Sequence, residues 1–250
     1  MPITANVLYR DSLNFFRNQL TSILMLVMLT ASISLLLNQI LGTDSEILKI
    51  LNATNGDFAT SPSMGIQEFI RKMRPEQQIM LLKATVAAAF SALVGKALLI
   101  GGVLTLLRLI SQGQDTSAIR ALVISIPVLP RLMLLLFICS LLIQLGLRLL
   151  VVPGVIMAIA FSLSSIITTT DKQGVFDSIK LSCRLAFFNV RVIVPAMLLW
   201  VVAKLLLFFM FGHLAPLMPN AARWGVAALG NLVSALLLIY LFRLYILLRR

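Results

Sequence analysis

Six long apolar runs dominate the sequence: Leu20–Leu41, Ala84–Leu109, Leu132–Leu147, Leu149–Thr169, Val192–Phe211 and Gly225–Leu248. Each is close to the roughly 17–25 residues a helix needs to cross the hydrocarbon core of a bilayer. In that core the backbone must satisfy its own polar groups, so spans of this length are helices. The expectation is an all-α, polytopic bundle of six transmembrane helices, with residues 1–250 forming a single membrane domain. Composition agrees, since 60% of residues are hydrophobic and only 12% charged, against roughly half and a quarter in soluble domains.

One boundary decides the count. The third and fourth runs meet through Gly146–Leu147–Arg148 and Val152–Pro153–Gly154. Proline suits the start of a helix and breaks its interior, so Pro153 predicts a tight hairpin that opens span four. Without that break the chain has five spans, and its C-terminus changes sides.

The net charge of +12 comes from 21 Lys and Arg against 9 Asp and Glu. These basic residues lie at the ends of apolar runs, where orientation and anionic headgroups call for them, and not on the basic face a nucleic-acid binder needs. With the N-terminus inside, the inner side holds Arg10, Arg17, Arg108, Arg120, Arg131, Lys172, Lys180, Arg184, Arg191, Arg243, Arg249 and Arg250, twelve in all. The outer side holds six: Lys49, Arg71, Lys72, Arg74, Arg148 and Arg223. The positive-inside rule therefore places both termini in the cytoplasm. Arg10 and Arg17 before the first run resemble a signal peptide in outline. That run is too long for a signal core and no A-x-A site follows it, so it reads as a retained span.

Within the first loop, Ile66, Phe69, Ile70 and Met73 recur at helical spacing and predict a short amphipathic helix, and Pro75–Glu76 suits the start of the helix that follows. Small residues recur every four positions in span two (Ala84, Ala88, Ala92; Ala87, Ser91, Gly95) and span four (Gly154, Ala158, Ser162; Ala160, Ser164, Thr168). Such faces let helix backbones approach closely, either inside one bundle or across a dimer interface.

Three amphipathic segments precede the odd-numbered spans on the cytoplasmic side. Their stripes are Tyr9, Leu13, Phe16 and Leu20; then Ile119, Leu122, Val123 and Ile126, with Asp115 as a candidate N-cap; then Phe176, Ile179, Cys183, Phe187 and Val190. Basic residues flank each stripe, most densely Lys180, Arg184 and Arg191 in the third. A helix lying in the interface buries its stripe in the bilayer and lets flanking Lys and Arg reach lipid phosphates. The competing view makes these ordinary inner loops whose charges only orient the chain.

Little in the sequence points to chemistry. His213 is the only histidine and stands in a short outer loop; Cys139 and Cys183 show no metal or redox spacing. No metal or cofactor is expected. No Asp or Glu falls within a span, which counts against a carboxylate proton relay. Lys96, near the middle of span two, and Lys204, in span five, are the anomalies. A lysine at the bilayer centre costs about 2.5–3.5 kcal/mol, so each wants a partner: a carbonyl, water, Gln144, or a lipid or ligand anion. Lys204 can also snorkel as a simple anchor.

Four segments carry a resemblance: Tyr9-Arg-Asp-Ser-Leu-Asn-Phe-Phe-Arg-Asn-Gln19, Pro75-Glu-Gln-Gln78, Val151-Val-Pro-Gly-Val-Ile-Met-Ala158 and Leu238-Ile-Tyr-Leu-Phe-Arg-Leu-Tyr245. In these the chain resembles, from end to end, the YciC family of uncharacterised multi-pass inner-membrane proteins. The resemblance implies a bacterial inner-membrane location and no established activity. It also implies an uncharged residue at position 96, which favours Lys204 over Lys96 as a functional cation. More weakly, Pro153–Gly154 through Asp171–Lys172, Gly174 and Ser182–Leu185 is similar to membrane domains attached to some glycerophosphodiesterases, whose catalytic domain has no counterpart in this sequence.

The functional expectation is a non-enzymatic protein that organises or handles lipids, or partners an envelope protein. Its candidate lipid- or ligand-binding residues are Lys204, Lys96, Lys180, Arg184 and Arg191, and its partners are anionic lipid headgroups. The alternative is a transporter or channel for a small solute, with a membrane-embedded enzyme third.

Overall fold

Every element of the structure, a computed structural model that describes residues 5–41, 74–114, 116–171, 173–214 and 218–249, is helical. The order is α1 (Ala5–Asn18), α2 (Leu20–Ile40), α3 (Pro75–Ser111), α4 (Ala118–Ser125), a 3-10 turn (Ile126–Val128), α5 (Leu129–Leu149), α6 (Val151–Ala160), α7 (Ser164–Thr170), α8 (Val175–Phe188), α9 (Val190–Leu214) and α10 (Pro219–Arg249). Six stretches are long and apolar enough to cross a membrane: α2, α3, α4 through α5, α6 with α7, α9 and α10. Two compact units are distinguished, Met1–Ala31 with Lys96–Arg250, and Ser32–Gly95. The expected helix at Ile66–Met73 and the residues Asp115 and Lys172 lie outside the described residues.

The smaller unit holds the second half of α2 and the first half of α3. The helix α3 opens on Pro75 with Glu76 in its first turn, where a carboxylate complements the exposed N–H groups. The face that turns inward carries Ala84 and Ser91, both at most 1% exposed, whereas Ala92 points outward. A Cβ added at Gly95 would lie 2.8 Å from Ser34 Oγ, so the small-residue stripe on α3 marks a close crossing.

In the larger unit, the hairpin between α5 and α6 forms where Pro153 predicted it. Leu150 is the single extended residue between the two helices, and Pro153 sits in the first turn of α6. Gly146 and Gly154 face each other across the hairpin. A Cβ on Gly154 would come within 2.7 Å of the Leu147 backbone N, and one on Gly146 within 2.9 Å of Gly154 Cα. Only glycine allows this approach.

Span four is not one helix. Residues 161–163 interrupt it, leaving the Ala160 carbonyl and the Leu163 N–H without helical partners. Ser182 of α8 supplies both: its hydroxyl donates to Ala160 O (2.6 Å) and accepts from Leu163 N (3.2 Å). The two half-helices are thus joined through a side chain from another element.

The three amphipathic helices form as expected and pass into the odd-numbered spans through short junctions. Helical hydrogen bonding continues through Gln19 from α1 to α2 and through Asn189 from α8 to α9, while the 3-10 turn leads α4 into α5. The most buried residues of each lie beside the stripe read in the sequence: Leu8 and Ser12 on α1, Ala118, Ala121 and Ser125 on α4, Ser178, Ser182 and Ala186 on α8. Of the stripes themselves, Tyr9, Phe16 and Ile179 pack against the core, while others point away: Leu13 is 56% exposed, Val123 57%, Phe176 75%. Close contact between helices selects small residues, whose backbones can approach. The cap of α4 is Ser117, whose hydroxyl accepts from Arg120 N, in place of Asp115.

A continuous core runs through this unit, with Leu26, Leu106, Leu163, Ile166, Ile193, Ile239 and Leu244 at most 1% exposed. Asn231 donates to Thr30 Oγ1 (3.4 Å), tying α10 to α2. Tyr245 Oη donates to Asp171 Oδ2 and Arg249 Nη1 to Asp171 Oδ1, both at 2.6 Å, fixing the end of α10 to the end of α7.

Candidate functional site

Helix α1 lies against the last turns of α10, and a space opens on each flank of that contact. The contact itself is aromatic: the Tyr9 and Tyr240 rings stack tilted at 4.7 Å, and Tyr240 Oη donates to Val192 O (3.1 Å). Burial pushes the Tyr9 hydroxyl above its ordinary pKa, so it stays neutral.

On one flank is a lateral groove of about 190 Å³, walled by α1 (Tyr9, Ser12, Leu13), α9 (Ala196, Leu199, Trp200, Ala203) and α10 (Val233, Leu236, Leu237, Tyr240). The walls are almost wholly apolar. The exception is Ser12, 5% exposed, whose buried hydroxyl has no hydrogen-bond partner. A buried polar atom left unsatisfied in a native structure calls for an explanation.

At the other end of the groove Trp200 begins a polar chain. Its indole Nε1 donates to Ser234 Oγ (3.4 Å), which donates to Gly230 O (3.0 Å). Lys204 Nζ lies 5.6 Å from the Trp200 ring centroid, and a Cβ on Gly230 would meet that ammonium at 3.1 Å. The partner sought for Lys204 is therefore an aromatic face, which attracts a cation through its quadrupole; Gln144 is exposed on α5.

On the other flank is an open cavity of about 650 Å³, lined by the apolar Phe15, Ile110 and Ile246 and the polar Asn18, Gln19, Ser111 and Arg243. Arg243 lies over the Phe15 ring at 4.9 Å and faces Asp11 Oδ2 at 3.6 Å. A second opening of about 540 Å³ shares Gln19 and Ile110 with it.

The five candidate cations are not brought into one site. Lys96 is exposed on α3, Lys180 and Arg184 are exposed on α8, Arg191 is exposed at the start of α9, and only Lys204 is half-buried. His213 belongs to the last turn of α9 and not to a loop. Among the described residues no three of His, Cys, Asp and Glu group as metal ligands. Cys183 is a half-buried thiol whose pKa burial raises, the opposite of an activated nucleophile.

Sequence reasoning counted Arg243 only as an orienting charge, met Asp171 and Ser182 only within a weak resemblance, and gave none of them, nor Ser12, a place in a site. One signal was available for Arg243: a guanidinium deep in an apolar run, one helical turn after Tyr240.

The model of the uncharacterised protein family UPF0259 matches residues 1–247. A "UPF0259 membrane protein" of Serratia proteamaculans (strain 568) is 71% identical over 249 residues, covering 100% of both chains. One from Yersinia pestis (strain Pestoides F) is 53% identical over 249 residues, covering 100% of this chain and 97% of its own. No solved structure matches.

Proposed function

We propose a function for a chain that belongs to the uncharacterised protein family UPF0259: it is a non-enzymatic protein of the bacterial inner membrane that holds lipid at the cytoplasmic leaflet. Its relatives are named membrane proteins and it carries six helices of spanning length and hydropathy; the inner membrane and the cytoplasmic termini follow from the family resemblance and the charge tally. The observation that carries the lipid reading is the lateral groove. Its apolar walls suit an acyl chain, and the unpartnered Ser12 hydroxyl stands where α1 meets the groove. A lipid ester carbonyl can accept from it, removing a desolvation cost of about 1–3 kcal/mol.

The exposed Lys180, Arg184 and Arg191 supply the second element. Among the described residues none of them makes an ion pair, so their charges are available to anionic headgroups, each contributing on the order of 1 kcal/mol.

Native mass spectrometry of the detergent-purified protein tests both parts. Ala203→Phe fills the groove and should strip co-purifying lipid of every class severalfold. The triple change of Lys180, Arg184 and Arg191 to Gln should lower anionic lipid selectively. An unchanged lipid complement in both variants would overturn the reading.

A further inference from the structure

The cavity beside Arg243 is separate from the groove and differs from it in chemistry. A guanidinium presents five N–H donors in a rigid fork. Here Nε is buried without a hydrogen-bond partner, and the carboxylate it faces, Asp11, stands at 3.6 Å and is 56% exposed. That spacing is too long for a hydrogen bond, and an ion pair so exposed contributes about 0–1 kcal/mol. The Phe15 ring beneath the guanidinium restricts its plane. Asn18 and Gln19 line the same cavity, while the Ser111 hydroxyl already donates to Arg108 O (2.8 Å). Among the described residues no carboxylate lines the space, and its volume falls within the roughly 300–1,000 Å³ of small-ligand sites.

We propose that Arg243 anchors a binding site for a phosphate-type oxyanion, presented by a lipid headgroup or by a small phosphorylated solute. A planar fork, with Asn18 and Gln19 lining the same cavity, suits an anion with several acceptor oxygens. Arginine suits that bidentate task where lysine would act only as a point charge. Asp11 is then a competitor for the guanidinium, weak because it is exposed, that keeps the side chain in place when the site is empty. This assignment does not rest on the groove, and it survives or fails separately from the lipid-chain reading.

The test uses the full chain in detergent and two variants, Arg243→Gln and Asp11→Asn. Inorganic phosphate, set against chloride at equal ionic strength, should raise the thermal midpoint by mass action; nanodiscs containing phosphatidic acid, set against phosphatidylcholine alone, should show retained phosphatidic acid by native mass spectrometry. Arg243→Gln should weaken the response at least tenfold, whereas Asp11→Asn should strengthen it. Both substitutions remove the same ion pair, so opposite signs separate an anion site from a structural contact. A response to phosphate identifies a free solute and a response confined to nanodiscs identifies a headgroup; either supports the site. No response in either medium, or a wild-type response in Arg243→Gln, overturns it. Should Arg243→Gln fail to fold, an unchanged or weakened response in Asp11→Asn overturns it alone.

Discussion

Ser182 and Ser178 sit one turn apart on the buried face of α8, and the difference between them defines what a polar residue does inside this protein. Ser182 serves two backbone groups at the break in span four; the Ser178 hydroxyl is buried with no partner. Ser182→Ala leaves a carbonyl and an N–H unpaired, at about 1–3 kcal/mol for each group. It should lower the thermal midpoint in detergent clearly, while Ser178→Ala should leave it unchanged or raise it. Equal effects would mean that small volume, not hydrogen bonding, is what α8 requires. Sequence alone could not separate the two, because both read as small residues at helical spacing. The same limit hid Arg243, whose partner Asp11 stands at the opposite end of the chain. Lys204 was visible as an anomaly; its Trp200 partner, four residues earlier on the same helix face, was equally legible but lay outside a search for anions and carbonyls.

Among the elements, the hairpin was readable, and of the amphipathic helices the large stripes were readable but the small packing residues were not. Pro153 and two glycines form a local signal that needs no knowledge of the surroundings. Gly154→Ala places a methyl 2.5 Å from Leu147 Cγ and 2.7 Å from its backbone N, a clash the backbone must relieve. Overpacking of this kind costs roughly 1–3 kcal/mol. Gly212→Ala on α9, where a Cβ meets nothing within 4 Å, should instead stabilise by up to about 1 kcal/mol through helix propensity. Thermal unfolding of the two variants side by side checks the contrast, and a tolerant Gly154 would mean the hairpin is looser than described. Helical periodicity, by comparison, says which residues share a face and nothing about whether protein or lipid covers it. On α1, α4 and α8 the large residues drew attention as the stripes a bilayer would bury, and the small ones on the neighbouring face, which pack on the protein, went unread.

For the whole molecule, composition and run length were enough to give the helical class and six spans, while the cavities flanking α1 depend on contacts between distant segments that no local pattern announces. The charge asymmetry makes a prediction about the complete topology. Reporter fusions within residues 42–83, at Arg148 and at His213 should report the outer side; those at Gln114, Gln173 and Arg250 should report the inner side. A C-terminal fusion on the outer side would sink the arrangement. The break in span four, finally, bears on the order in which the chain is made. Its backbone groups at 160 and 163 are satisfied by a residue 22 positions behind the first of them, and at roughly 5–20 residues per second synthesis needs on the order of one to four seconds to reach it. During that interval span four enters a medium that tolerates no bare carbonyl, and an unbroken helix is the form that leaves none. The expected order is therefore an unbroken span four first and the interruption at 161–163 only once α8 docks, so that Ser182→Ala should leave span four a single helix.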